Sequence, residues 1–410
     1  MSALASPGGA LARALRSGGR VIQRAGIPLV RLDAELFCEE ARQRTGLDDF
    51  GDPRFREPLR RLIADFDGPA QLSLLGRIAA RQDLIRLLAN RLRMEWDRKR
   101  HPEIGLQPVQ GPLFVTGLPR TGTTLLHGLL AQDPSHRAPL SWEMMFPSPP
   151  PERNHHHHDP RIAAADRQLR WFHRLNPGFR RIHELGALLP EECLIITSHS
   201  FRSFQFQTSH DVPEYQAWLE AQTLVPAYEA HRRFLQHLQF RWRGERWVLK
   251  APAHLFGLGA LLDVYPDAGV ILTHRDPLEV VGSLASLTTA LRSTFSDEVD
   301  PEQVGPEMTR RWAEGLGRAL RARDEGLVPA DRFFDVRYLD LLRDPIGTVR
   351  SIYDHFGLRI TPPAEERMRR FLARHPKDKH GRHRYTLAEF GLDADEETAR
   401  YRSYRERFGL

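Results

Sequence analysis

Cysteine is almost missing from this chain: only Cys38 and Cys193 occur among 410 residues. Two cysteines so far apart supply neither a disulfide framework nor metal-ligand spacing. That excludes small disulfide-built scaffolds and points to a reducing, cytoplasmic setting. Long apolar runs are missing too. The stretch around residues 188–197 is apolar but broken by Pro190, Glu191 and Glu192. Nothing approaches the roughly 18 consecutive apolar residues that a membrane span requires. The Ala/Gly/Arg-rich residues 1–24 hold no apolar core and no clear cleavage site, so they read as a frayed start. Charge of one sign is not dominant either, with 59 Lys+Arg against 53 Asp+Glu, a net of +6. The basic residues are mostly Arg interleaved with acids, which reads as solvated helix faces plus a site for an anionic small molecule, with no nucleic acid as partner.

One further absence is a single lysine. Residues 112–124 read Pro-Leu-Phe-Val-Thr-Gly-Leu-Pro-Arg-Thr-Gly-Thr-Thr, an apolar strand feeding a helix through a glycine- and hydroxyl-rich turn. Backbone N–H groups converge at such a turn, and the helix dipole adds partial positive charge, so it cradles anions. The nucleoside-triphosphate loop places a Lys directly after its last Gly. Here Thr123 follows Gly122, and the cation is Arg120, before the glycine. Arg120, Thr121, Gly122, Thr123 and Thr124 are therefore expected to hold a phosphate-bearing donor other than ATP or GTP.

What is present is a globular balance, 41% hydrophobic and 27% charged residues. Helical periodicity runs through residues 28–100, a cap in which the sequence offers no chemistry. Short apolar strands are expected at 113–116, 247–250, 270–273 and 333–338, each followed by a helix. This alternation predicts an α/β fold: a three-layer, P-loop-like arrangement with a central parallel sheet flanked by helices. The expected organisation is a helical cap over 1–110, a core over 111–392 with a helical insertion over 147–239, and a helical tail over 393–410. Ligands of such sheets lie beyond the carboxyl ends of the strands. The four adjacent histidines, His155 to His158, sit between Pro and Asp with no partner spacing and read as a solvated loop, so no metal is expected. Aromatics in the insertion, among them Trp171, Phe172 and Phe206, are expected in the core, with part of them lining an acceptor pocket.

Two further segments end strands. In Thr273-His274-Arg275-Asp276-Pro277, Arg275 is followed eight residues later by Ser283, so a guanidinium and a hydroxyl about two helical turns along can grip one phosphate. Trp247-Val248-Leu249-Lys250-Ala251-Pro252-Ala253-His254 places a lysine at a strand terminus and a histidine on the turn after it. Taken together with Pro-Arg-Thr-Gly-Thr-Thr, these segments resemble the sulfotransferases that use 3′-phosphoadenosine 5′-phosphosulfate (PAPS). The resemblance covers roughly residues 113–392 and is nearest to the broad bacterial branch, itself similar to the tyrosylprotein sulfotransferases. It implies that Arg120 to Thr124 form the 5′-phosphosulfate loop, that Arg275 and Ser283 hold the 3′-phosphate, and that Tyr338, in Asp335-Val336-Arg337-Tyr338, lies near the adenine. It also implies that Lys379, Gly381 and Arg382 belong to a late basic loop over the 3′-phosphate, although that tail departs from the cytosolic-type pattern.

The implied activity is transfer of a sulfuryl group from PAPS to a hydroxyl or amine, leaving adenosine 3′,5′-bisphosphate and needing no metal. The protein must align the acceptor and neutralise charge developing on the leaving phosphate, by analogy with phosphoryl transfer. Lys250 suits the second task. Three candidates compete as general base: Glu143, near the position of the catalytic Glu of the tyrosylprotein branch; His254, whose titration range suits the work; and the pair Glu191 and Glu192. Glu143 ranks first and His254 second. The acceptor is open between small molecules, lipids and glycans, and a homodimer is the commonest symmetric assembly. The alternatives are an NTP-dependent kinase or ATPase on a related fold, and a non-catalytic nucleotide-binding member.

Overall fold

The computed structural model describes residues 29–176, 184–375 and 386–410. Five strands form one sheet: β1 (Leu113–Gly117), β2 (His136–Arg137), β3 (Arg246–Lys250), β4 (Gly269–His274) and β5 (Phe333–Arg337), in the order β2-β3-β1-β4-β5. All neighbours are parallel. The four apolar runs in the sequence are four of these strands. β2 was not foreseen, because two residues, His136 and Arg137, carry no apolar run or alternation to read.

Alternation along the strands divides the interior into two layers. Leu113 and Val115 of β1, Val248 of β3 and Ile271 of β4 pack with Leu126, Leu129, Val349, Ile352 and Met368 of the helices on one face. Phe114, Leu249, Val270 and Leu272 point the other way, into a larger core. That core also takes in Leu84, Leu88 and Leu92 of the Leu74–Arg100 helix, Phe206 and Tyr215 of the insertion, and Tyr401 and Tyr404 of the C-terminal Ala394–Phe408 helix. A side-chain period of two on buried strands produces this two-sided burial.

The Leu74–Arg100 helix is anchored at its start. The Ser73 hydroxyl accepts from the Gly76 N–H at 3.0 Å, and the Ser73 N–H donates to the Phe295 carbonyl at 2.9 Å. Phe295 ends the Val281–Phe295 helix that follows β4. The contact is so close that a Cβ on Gly76 would stand 1.9 Å from the Phe295 carbonyl oxygen. Among the described residues no helix is long and apolar enough to cross a membrane. The histidine run is solvated at His155, His157 and His158 but not at His156, which is buried edge-on to Trp242 at 4.1 Å.

Two expectations follow. Gly76→Ala should lower unfolding free energy by about 1–3 kcal/mol in urea titration, the usual cost of overpacking; unchanged stability would mean the helix ends are not in contact. Burial holds the imidazoles of His127, His199, His231 and His237 at about 3, far below the usual 6.5. Each stays neutral when folded and charges on unfolding, so its stabilisation is complete above the unfolded value and declines as pH falls from about 6.5 toward 3. Unfolding free energies from urea titration between about pH 7.5 and 5.5 should therefore fall, by about 1 kcal/mol per histidine. A flat profile over that range would contradict the burial of these rings.

Candidate functional site

β1 runs out at Gly117, where a Cβ would meet the Thr273 hydroxyl at 2.4 Å and its carbonyl at 2.6 Å. Only glycine lets β1 and β4 lie that close as the chain turns. The Thr121 hydroxyl then donates to the Leu118 carbonyl at 2.6 Å and meets the Thr273 hydroxyl at 2.6 Å. These bonds tie the loop to the ends of two strands. Arg120 and Gly122 both take left-handed backbone, with φ of 68° and 90°. For Arg120 this is a costly conformation, of the kind found where a loop is shaped for a ligand. The Thr123–Leu130 helix starts with Leu126 N–H donating to the Gly122 carbonyl at 3.0 Å. The N–H groups of its first turn therefore have no partner within the helix.

Arg275, past the end of β4, reaches the same loop. Its Nη1 donates to the Arg120 carbonyl at 3.0 Å, its Nε to Glu279 at 3.0 Å, and its guanidinium carbon lies 4.5 Å over the Tyr338 ring. Tyr338 follows β5 and also touches the loop, since a Cβ at Gly122 would be 3.0 Å from it. Ser283 stands half-buried in the first turn of the Val281–Phe295 helix. Beneath this edge Asp335 accepts from Arg323 at 2.9 Å and lies 2.9 Å from the His274 ring nitrogen. Burial pushes the Asp335 carboxyl up, but His274 and Arg323 outweigh it and hold it at about 2. Lys379, Gly381 and Arg382 lie outside the described residues.

Lys250 ends β3, in register with Val115 of β1. Its side chain is 2% exposed. The ammonium is 2.5 Å from Glu192 Oε1 and 3.4 Å from the Thr124 hydroxyl of the anion loop. Glu192 precedes the Cys193–Ser198 helix, and its N–H donates to Glu191 at 2.9 Å. Both carboxylates line a cavity of about 460 Å³ whose remaining walls include Leu169, Phe172, Ile195, Phe206, Leu291 and Phe295. The Leu74–Arg100 helix contributes Ala79, Ala80 and Asp83 to the same cavity. The cap in which the sequence offered no chemistry thus supplies a wall of the site. Its apolar stripe was legible, but which side faces a cavity depends on its docking against Phe295.

Glu143 and His254 stand apart from this cluster. Neither lines the cavity or contacts Lys250, Glu192 or Thr124. Glu143 is fully buried, paired with Arg137 of β2, accepts the Leu140 N–H at 2.9 Å and lies 3.3 Å from His156. Burial alone would push its carboxyl up, but Arg137 and His156 hold it below its ordinary value. It pins β2 to the turn that follows. His254 is 3% exposed, with Nδ1 2.9 Å from the Tyr228 hydroxyl and its ring edge-on to Phe114 at 5.0 Å. Burial pushes it well below 6.5, which leaves a neutral ring inside the core. Among the described residues no three His, Cys, Asp or Glu side chains gather to hold a metal ion.

Residues 112–363 match a family model described as the sulfotransferase family. The chain is 30% identical over 297 residues to the omega-hydroxy-beta-dihydromenaquinone-9 sulfotransferase Stf3 of Mycobacterium bovis, a match covering 68% of this chain and 71% of that protein. Among solved structures it resembles sulfotransferase STF1 of Mycobacterium tuberculosis, with a TM-score of 0.81 and 35% identity over 91% of this chain and all of the other. It also resembles STF9 of Mycobacterium avium, with a TM-score of 0.85 and 31% identity over 94% of this chain and 98% of the other.

The packing of Glu143 yields a test. Glu143→Gln leaves the Arg137 charge uncompensated in the interior and should lower unfolding free energy by about 3–5 kcal/mol in urea titration. A variant as stable as the parent but without turnover would return Glu143 to the chemistry.

Proposed function

The chain belongs to the sulfotransferase family and is a sulfotransferase; we propose that its donor is PAPS, that its acceptor is an apolar alcohol, and that Glu192 is the general base. The observation that carries this reading is the Lys250–Glu192 pair, which touches the anion loop through Thr124 on one side and lines the cavity through Glu192 on the other. A kinase-like reading has no such support, since the Lys of the triphosphate loop is absent and the relatives are sulfotransferases.

The residues fit the donor. The Gly122 turn packs against Tyr338 and Leu341, and the first-turn N–H groups with Arg120 suit the 5′-phosphosulfate. Arg275 and Ser283 suit the 3′-phosphate, and Tyr338 offers a ring face to the adenine. When bound, PAPS supplies the sulfuryl group, and adenosine 3′,5′-bisphosphate departs. Lys250, almost wholly out of water, stabilises negative charge on the departing phosphate far better than a solvated amine would. Its partner shapes the other half. With Lys250 drawn toward the phosphate, the Glu192 carboxylate is released from its ion pair and left facing the cavity. It can then take the proton from an acceptor hydroxyl in the cavity as the oxygen–sulfur bond forms and the sulfur–phosphate oxygen bond breaks. Glu191, bonded to the Glu192 N–H, steadies that backbone.

The acceptor class follows from the walls. Phe172, Ile195, Phe206 and Leu291 give the cavity a mainly apolar surface, with Gln82, Gln168, Gln205 and Thr208 among the polar groups that line it. The name of the relative Stf3 specifies an omega-hydroxy-beta-dihydromenaquinone-9 acceptor, which agrees with an apolar molecule presenting one hydroxyl.

Glu192→Gln should lower kcat by about 10²–10⁴ with farnesol or dodecanol as probe alcohols, while the dissociation constant for adenosine 3′,5′-bisphosphate stays within about threefold. Retained kcat would remove Glu192 as the base. Arg275→Ala should weaken bisphosphate binding by at least about tenfold, or 1.4 kcal/mol, by calorimetry. An unchanged constant would refute the 3′-phosphate assignment.

A further inference from the structure

The Pro160–Leu175 helix has two chemically opposite faces. Ile162, Ala165 and Leu169 pack inward around Trp142 and Met145. On the outer side Arg167, Arg170, Trp171 and Arg174 are all exposed. At 3.6 residues per turn these four fall within an arc of roughly 100°. Three guanidiniums and one indole thus share a single exposed face. None of the three arginines makes an ion pair among the described residues; by contrast Arg161 on the same helix is bonded to Asp159.

Trp171 connects this stripe to the site. It lines the apolar cavity, yet it is 52% exposed, so the cavity wall reaches the surface at that residue. Leu188, nearby in sequence to the lining residue Leu185, is also 44% exposed. An indole with an apolar body and an N–H tip sits well at a lipid–water boundary, and arginines beside it attract anionic headgroups. Water-insoluble alcohols partition into bilayers, so a cavity for them gains from opening where the bilayer is.

We propose that the exposed face of this helix docks on an anionic lipid surface, with Trp171 at the boundary, and that the acceptor enters the cavity from that surface. The route of entry rests on the apolar-alcohol reading; the docking itself does not. The occupant is a bilayer because the stripe combines positive charge, unpaired among the described residues, with an indole at the edge of an apolar cavity.

The test is co-sedimentation of the full chain with vesicles of phosphatidylcholine alone and of phosphatidylcholine with one quarter phosphatidylglycerol, at about 0.1 M and about 0.5 M salt. Binding to the anionic vesicles should exceed binding to the neutral ones by at least about tenfold and weaken at the higher salt. The triple variant Arg167→Glu, Arg170→Glu, Arg174→Glu should lose that preference while keeping the thermal shift given by adenosine 3′,5′-bisphosphate. No binding by the parent chain, or equal binding by the triple variant, would overturn the proposal. So would sedimentation velocity in which the triple variant dissociates a dimer while vesicle binding is unchanged, since the face would then join two copies. Absence of a bisphosphate shift in the parent chain would instead count against the donor reading and leave the docking result standing.

Discussion

A lysine ammonium withdrawn almost entirely from water has to be compensated, because an unpaired charge in the interior is among the most costly arrangements a fold can hold. At the end of β3 that ammonium belongs to Lys250, and Glu192 compensates it. The pair joins three parts of the chain that sequence keeps far apart: the central sheet, the anion loop through Thr124, and the insertion through the start of the Cys193–Ser198 helix. If Glu192 were absent, the Lys250 ammonium would be stranded in a low-dielectric pocket. The geometry of the site and the packing of the insertion are therefore one problem with one solution.

The same economy of placement runs along the sheet edge. β1, β3 and β4 lie side by side and parallel, so their carboxyl ends deliver the loop, Lys250 and Arg275 to one rim. Thr121 and Thr273 lock the loop to that rim, and the bond from Arg275 to the Arg120 carbonyl closes it. The Arg275 guanidinium thus meets the Arg120 backbone on this rim. The His274–Asp335–Arg323 cluster and the Tyr404 hydroxyl 2.8 Å from His274 brace the rim from below with the C-terminal helix.

Much of this was legible beforehand, because it was written in local signals. Four apolar runs, glycines at the turn and cations at strand ends gave the parallel sheet, the loop and its neighbours. What stayed hidden depends on contacts between distant residues. Glu143 stood out by its spacing from the loop, but the side chain that occupies it, Arg137, sits on a two-residue strand with no pattern to reveal it. His254 had the right titration range for a base until packing against Phe114 and Tyr228 closed it in. Glu192 was visible as an acid in an apolar stretch, yet only the fold brings it to Lys250. His156 is the converse case: one of four identical neighbours, singled out by two tryptophans, Trp142 and Trp242, that no run of histidines announces.

One positively charged rim is proposed to hold an adenosine phosphorylated at both its 3′ and 5′ positions. Calorimetric titration of the full chain with adenosine 3′,5′-bisphosphate, adenosine 5′-monophosphate, and ATP with magnesium tests it most directly. The bisphosphate is expected to bind without metal and at least about tenfold more tightly than the monophosphate. Tighter binding of ATP with magnesium, or equal binding of the two adenosine phosphates, would contradict it.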